Sequence, residues 1–112
     1  MKQITGLSAS PKQEFKVQIE GGDIAIFNFY FLQSQIGWFF DITYDNFKST
    51  GLRLVNSLNV LSPYFNILRF GLAVEVPDGA EPYFLDDFIS GRVNLYVLSE
   101  NEVKELEGIA YA

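Results

Sequence analysis

The sequence predicts a small, mainly antiparallel β domain, either a barrel or a sandwich, with one short helix at its C-terminus. Three observations indicate this class. Apolar and polar residues alternate with a period of two, most clearly where Phe15, Val17 and Ile19 alternate with charged and amide side chains. Turn-forming residues separate such segments at short intervals. A helical pattern is found only after Ser99.

Composition limits the classes of protein that are possible. At 112 residues, the chain predicts one domain over 1–112, with its core at about 13–98. The sequence has no cysteine and no histidine, which excludes disulfides, thiolate metal sites and histidine-dependent catalysis. A net charge of −6 argues against a phosphate-backbone partner. Since no apolar run reaches the roughly 18 residues of a membrane-spanning helix and no signal core follows the N-terminus, we expect synthesis in the cytoplasm and no membrane partner.

The N-terminal half predicts a short strand followed by a three-stranded meander. The first strand ends at a turn-forming cluster that includes Pro11. Gly21 and Gly22 supply the positive φ values of a tight hairpin turn. The segment 24–32 is apolar on both faces, so we expect it to be covered from both sides. We therefore expect strands at 4–7, 14–20, 24–33 and 37–44.

The predicted strand at 37–44 contains the only tryptophan of the sequence. In an extended chain Trp38, Phe40 and Tyr44 lie on one face, which is wholly aromatic or apolar and suits a core. The same aromatic residues are compatible with a sugar-stacking platform on Trp38. A small carbohydrate-binding β-sandwich is therefore the alternative function.

The opposite face of this strand carries Asp41. A charge in the middle of a strand usually faces solvent or pairs across the sheet, so we expect Asp41 to face solvent, to pair with a cross-strand cation such as Arg53 or Arg69, or to meet a neighbouring subunit. The structural or interface candidates of the whole sequence are Trp38, Phe40, Asp41, Tyr44, Phe70 and Tyr96.

The C-terminal half predicts further strands joined by irregular segments. The expected order is a polar loop at 45–51, a strand at 51–55, an irregular stretch at 56–64, a strand at 67–76, a loop at 77–82, an irregular bridge at 83–90 and a strand at 92–98. In the strand at 67–76, Gly71 indicates a bulge or a close backbone approach. Core contacts of the irregular stretch are expected from Leu58, Val60 and Leu61.

The last residues change to helical spacing. Ser99 and Glu102 form a capping box, in which a serine at the N-cap is followed three residues later by a glutamate. Apolar residues at helical spacing follow, and Gly108 is the expected stop. The sequence therefore predicts a short acidic helix at about 100–107.

No constellation of residues predicts catalysis. Asp86 and Asp87 are the most prominent acidic pair, but adjacent side chains in an extended segment point in opposite directions, so we interpret them as a surface turn. The lysines and arginines are scattered rather than arranged in a stripe, so sequence-specific nucleic-acid binding is not expected. We therefore expect no catalytic residue, no cofactor and no metal.

The order of the elements resembles that of a known family. The segments that carry the resemblance are Trp-Phe-Phe-Asp-Ile-Thr-Tyr at 38–44, Gly-Leu-Arg-Leu at 51–54, the irregular segment 56–61, the apolar strand 68–76, the loop 77–82 and Arg-Val-Asn-Leu-Tyr-Val-Leu at 92–98. Over roughly 15–98 the chain resembles the small baseplate plug proteins of contractile-tailed bacteriophages, of the cyanophage type. It departs from that pattern at 86–91 and in the helix after Ser99.

This resemblance implies a structural protein of the virion with no catalytic role. It implies a position at the distal end of a contractile tail, next to tube, hub or spike proteins, with copies packed in closed cyclic symmetry around the tail axis. The net charge adds the expectation that an acidic surface lines the DNA channel and repels phosphates in passing. A channel lined by Lys2, Lys12, Lys16 and Lys48 would contradict that expectation.

Overall fold

The computed structural model describes residues 2–19, 21–64, 67–77 and 79–111, and in the C-terminal helix it describes side chains as far as Leu106. The strands are β1 (Lys2–Gln3), β2 (Lys12–Gln18), β3 (Ile24–Leu32), β4 (Gly37–Tyr44), β5 (Phe47–Arg53), β6 (Gly71–Glu75) and β7 (Asn94–Leu98), and the helix is α1 (Glu100–Tyr111). The predicted all-β class with one C-terminal helix is confirmed.

The strands form two antiparallel sheets. One has the order β2-β3-β4-β5 and the other β1-β7-β6. Their inner faces share one apolar core, in which Phe27 and Phe40 of the first sheet join Leu72 and Leu95 of the second. Since no ladder joins the two sheets among the described residues, the arrangement is a sandwich and not a closed barrel.

The predicted meander is confirmed. The β2–β3 hairpin turns at Gly21, whose φ of +73° belongs to the left-handed region that glycine adopts without steric cost. The next connection is a short 3-10 helix that ends at Ile36, which is itself left-handed with a φ of +48°. Strand β4 then covers the predicted range, and its ladder pairs Phe40 with Phe29 of β3.

Strand β3 is buried on one face only. Ala25, Phe27 and Phe29 are fully buried, whereas Ile24 is 51% exposed and Asn28 is exposed. The expectation of cover on both faces was wrong because the domain has only two layers, so the outer face of this sheet has no sheet or helix packed on it among the described residues.

Two strand boundaries differ from the prediction. The first strand is Lys2–Gln3 rather than 4–7, and the backbone N–H of Ile4 still donates to Leu95 O at 2.8 Å. Strand β5 begins at Phe47, inside the segment predicted as a loop, because a tight turn reverses the chain at Asp45. Asp45 has a φ of +52°, a conformation that aspartate tolerates well, so two residues suffice for this turn.

The segment between β5 and β7 is largely irregular. Strand β6 covers only five residues, although the whole apolar face predicted for 67–76 is buried. The irregular stretch before it is anchored by Leu61, which is fully buried, and by the partly buried Val60. Leu58 is 73% exposed, so its predicted core contact was wrong.

Helix α1 starts at the predicted capping box. The Ser99 N–H donates to Glu102 Oε1 at 3.0 Å, and the Glu102 N–H donates to Ser99 Oγ at 3.3 Å, which satisfies two N–H groups at the helix start. Val103 is buried against the domain. The predicted stop at Gly108 was wrong, since the helix continues to Tyr111 and glycine inside a helix costs only about 1 kcal/mol.

Candidate functional site

The segment 81–92, here called the strap, crosses the end of the sandwich before β7 and is braced by a buried ion pair. The Asp87 side chain is 1% exposed, and its Oδ1 accepts a bond from Arg92 Nη1 at 2.9 Å. Its Oδ2 accepts from the Phe84 N–H at 2.8 Å. A buried carboxylate is stable only when paired and hydrogen-bonded, and Asp87 meets both conditions.

Arg92 extends this brace to the rest of the strap. Its Nη2 donates to Glu81 O at 2.8 Å, and its guanidinium lies 5.1 Å from the centroid of the Phe84 ring. The Glu81 carboxylate accepts from the Asn56 N–H at 2.8 Å, which ties the strap to the segment after β5. The strap is therefore held at both of its ends.

Trp38 fixes the middle of the strap to the sheet. Its Nε1–H donates to Phe84 O at 3.0 Å, and its ring lies 4.6 Å from that of Phe88. Phe88 also packs against Phe29 at 6.2 Å. The strap thus turns one aromatic side chain inward, and this side chain closes the end of the core.

The other large side chains of the strap face solvent. Phe84 is 56% exposed and Ile89 is 60% exposed. Tyr83 and Leu85 are exposed to 39% and 40%. Four large apolar or aromatic side chains are thus displayed on one rigidly held segment, the kind of surface that protein interfaces use.

Four of the predicted candidates are packing residues. Trp38 and Phe40 are fully buried, and Phe70 is 1% exposed. Tyr44 is partly buried and places its ring 4.9 Å from that of Phe70 in an edge-to-face contact. Because Trp38 is enclosed, it cannot stack on a sugar.

Asp41 lies apart from these residues on the outer face of the four-stranded sheet, and its predicted pairing with arginine was wrong. Its Oδ1 accepts from Tyr30 OH at 3.0 Å and from the Gly51 N–H at 2.9 Å. Burial, and then the hydrogen bond to and the charge of Asp41, raise the pKa of Tyr30. Arg53 instead donates to the Ile36 carbonyl at 2.8 Å, and Arg69 lies 3.9 Å from Glu100.

Tyr96 lies on the outer side of the three-stranded sheet. It is partly exposed and lines a shallow groove together with Leu58, Ala73 and Glu75. The six predicted candidates therefore do not form one site. Trp38, Phe40, Tyr44 and Phe70 belong to the core, while Asp41 and Tyr96 lie on opposite outer faces.

The structure adds two polar residues that the sequence analysis missed. Asp87 is buried, so its interpretation as part of a surface turn was wrong. Its neighbour Asp86 is exposed, so the same interpretation was right for Asp86. Asn59 is 8% exposed, and its Oδ1 accepts from the N–H groups of Leu61 and Leu72. The only sequence signal for the brace is an acid and an arginine five residues apart on either side of Gly91.

The described residues contain no cluster of three or more metal-ligating side chains. In the same part of the chain, every buried side-chain nitrogen or oxygen has a hydrogen-bond partner. No described helix has the length and apolarity that crossing a membrane requires.

Together these features define a small two-sheet β domain whose buried polar groups brace a strap with exposed apolar side chains. The family model described as cyanophage baseplate Pam3 plug gp18 matches residues 1–100. The chain therefore belongs to this family of bacteriophage baseplate plug proteins, and the resemblance seen in the sequence is confirmed. The match ends at the first residue of α1. No curated protein sequence matches the chain.

Proposed function

We propose that this chain is a non-enzymatic structural component of the virion, at the distal end of a contractile tail between the tail tube and the hub or spike. The observation that carries this proposal is the family match over residues 1–100. The brace supports it, because Asp87 and Arg92, the most buried charged pair of the strap, neutralise each other instead of facing a cleft. Such an arrangement gives stiffness rather than reactivity.

The strap is the surface through which the domain contacts other baseplate proteins. Its exposed side chains are Tyr83, Phe84, Leu85 and Ile89. Because the ion pair and the Trp38 hydrogen bond already hold the strap, little conformational entropy is lost when a partner covers it. Large aromatic side chains at the centre of a contact are also the ones that contribute most to binding.

Copies of the chain pack in a closed cyclic arrangement around the tail axis. In that arrangement the acidic surface of the domain, consistent with the net charge of −6, lines the DNA channel and repels phosphates without binding a particular sequence. No cofactor and no membrane take part. The protein is made in the cytoplasm of the host bacterium and then built into the tail.

Capture of partners by the purified protein tests the role of the strap. The tube, hub and spike proteins of the phage that encodes this chain are expressed separately and passed over the immobilised protein. We expect at least one to bind, and a Phe84→Ser/Ile89→Ser variant to bind it about tenfold more weakly.

The matched control is Leu58→Ser/Ile67→Ser, which also replaces two exposed apolar residues but lies outside the strap. It should bind as the unmodified protein does. Capture of none of the three proteins would contradict the proposed function. An equal loss of partner binding in both variants would contradict the role of the strap as the binding surface.

A further inference from the structure

The ladder register of the four-stranded sheet places four basic side chains at the corners of its outer face. Two cross-strand rows each begin and end on a basic residue. The first row is Lys12, Tyr30, Phe39 and Arg53. The second row is Lys16, Ile26, Thr43 and Lys48. At the usual spacings within and between strands, the corners are about 13 Å apart along the strands and about 14 Å apart across them.

The centre of this face is aromatic and acidic. The rings of Tyr30 and Phe39 stack with centroids 6.1 Å apart, and the Arg53 guanidinium lies 5.1 Å from the Phe39 centroid. The middle row carries Glu14 and Asp41, and Lys16 lies 3.4 Å from Glu14. All four corner residues are exposed.

This face differs in charge from the rest of the chain. Its four basic and two acidic side chains give a net charge of +2. The other four basic and twelve acidic residues of the sequence therefore carry −8, which together makes the −6 of the whole chain. Half of the cations of the sequence thus lie on one sheet face.

One end of the four-stranded sheet carries two exposed carboxylates, Asp23 and Asp45. The β2–β3 and β4–β5 turns lie at the same end of the sheet, and the Asp23 N–H donates to Tyr44 OH at 3.2 Å. The start of α1 adjoins Ile19 at this end, where Glu100 and Ile19 line the same shallow depression. The acidic end is defined by Asp23 and Asp45, which are exposed, while Glu100 at the same end is paired with Lys104 at 3.3 Å and lies 3.9 Å from Arg69.

We propose that the outer face of the four-stranded sheet binds the acidic end of a second copy of this chain, so that copies associate head to tail. This contact rests on the proposed function, in which copies of the chain pack around the tail axis. It names the two surfaces through which neighbouring copies meet. Because the surfaces differ, the contact is heterologous, the type that closes rings. The cations of the sheet face and the exposed carboxylates of Asp23 and Asp45 supply the charge complementarity that steers and orients such a contact.

Charge also favours a protein over a nucleic acid as the occupant. A phosphate backbone presents continuous negative charge, which the carboxylates of Glu14 and Asp41 in the middle row oppose. Discrete carboxylates on a folded surface can meet the corner cations and avoid the middle row. A second copy offers such carboxylates in the turns at Asp23 and Asp45.

Sedimentation velocity of the full chain tests the contact. We expect the protein to self-associate at low salt and to dissociate in about 1 M salt, where the Debye length falls to about 3 Å. Lys12→Glu/Lys16→Glu should weaken self-association about tenfold, and Asp23→Lys/Asp45→Asn should do the same. The four substitutions combined in one chain should restore part of it, because Asp23→Lys then faces Lys12→Glu and Lys16→Glu across the contact, whereas Asp45→Asn only removes a charge.

Two controls separate this contact from other effects. Gln3→Glu/Leu58→Glu adds negative charge at two exposed positions on the outer side of the three-stranded sheet, away from both surfaces, and should not weaken association. Phe84→Ser/Ile89→Ser should lose baseplate partners while self-association persists.

Three results would overturn the proposal. They are a wild-type chain that stays monomeric at low salt, equal loss of association in the Gln3→Glu/Leu58→Glu control, and salt-sensitive binding of double-stranded DNA that Lys12→Glu/Lys16→Glu abolishes. A monomer that still captures baseplate proteins would overturn only this contact and leave the proposed function intact.

Discussion

Asp86 and Asp87 show how strongly position decides the role of a carboxylate. They are adjacent in sequence, yet Asp86 is exposed and Asp87 is fully buried against Arg92. A buried ion pair contributes little net stability compared with apolar packing, but removing one member leaves an uncompensated charge inside the protein. The pair therefore serves to fix the strap in one conformation.

Asp87→Asn should strongly destabilise the protein. The substitution removes the buried charge of Asp87 and its ion pair with Arg92, and it should lower the free energy of unfolding by about 3 kcal/mol, measured by urea denaturation. Asp86→Asn is the matched control and should change it by no more than about 0.5 kcal/mol. Equal effects of the two substitutions would show that the ion pair does not brace the strap.

Trp38→Ala should also lower stability, for reasons of packing. The side chain is fully buried, and its loss removes both the contact with Phe88 and the hydrogen bond to Phe84 O. We expect the free energy of unfolding to fall by about 3–5 kcal/mol, followed by circular dichroism because no tryptophan remains. Tyr83→Ala, at an exposed position, is the control. A Trp38→Ala variant with unchanged melting would place the ring outside the core.

Tyr30 makes the stability of the protein fall as the pH becomes alkaline. Because its pKa is raised, the folded state holds the phenolic proton more tightly than the unfolded chain does. Its contribution is complete below about pH 10, the pKa of an unfolded tyrosine, and is lost as pH rises through the raised value. Tyr30→Phe loses the hydrogen bond to Asp41 and should be less stable than wild type at neutral pH, with a difference that shrinks above about pH 10 as Tyr30 ionises. A constant difference, measured by urea unfolding across that range, would contradict this.

At the scale of elements, the sequence correctly predicted the strand, turn and helix start that depend on a few neighbouring residues. The alternation in β2, the glycine turn at Gly21 and the capping box at Ser99 each depend on a few neighbouring residues, and each is found in the structure. The start of β5 was missed because its Phe-Lys-Ser-Thr sequence is mostly polar and the turn at Asp45 needs only two residues. The brace was missed because the burial of Asp87 depends on how the whole strap folds back.

The Gly71 signal was local, but its cause is not. Gly71 marks a close approach, but of the Asn59 side chain and not of another backbone, since a Cβ atom at Gly71 would lie 2.7 Å from Oδ1 of Asn59. Asn59 comes from the irregular stretch twelve residues earlier and bonds the Leu72 N–H of β6. No periodicity in the sequence indicates that contact.

Gly71→Ala should push Asn59 of the irregular stretch away from β6. We expect a loss of about 1–3 kcal/mol of unfolding free energy, because the buried Asn59 amide cannot move without giving up its hydrogen bonds. Gly37→Ala is the control, since its Cβ would meet only the far end of the exposed Arg53 side chain, also at 2.7 Å. Thermal melting that falls equally in both variants would rule out the role of Asn59.

At the scale of the whole molecule, the domain has two surfaces that suit two different kinds of contact. The strap displays apolar side chains on a braced segment, which suits lasting contact with different baseplate proteins. The outer sheet face displays cations around an aromatic centre, which suits contact with an acidic copy of the same chain. Lys12, Lys16 and Lys48, which would contradict an acidic channel if they lined it, lie together on that face. In the proposed assembly they are turned away from the DNA.

The location of the protein in purified virions tests the central claim most directly. The phage that encodes the chain is purified, an antibody against the domain is coupled to gold, and the particles are viewed by electron microscopy with mass spectrometry of the same preparation. We predict that the chain is present in the particles and that the gold lies at the distal end of the tail, at the baseplate. Intact virions that lack the protein, or that carry it on the head or along the sheath, would contradict the account.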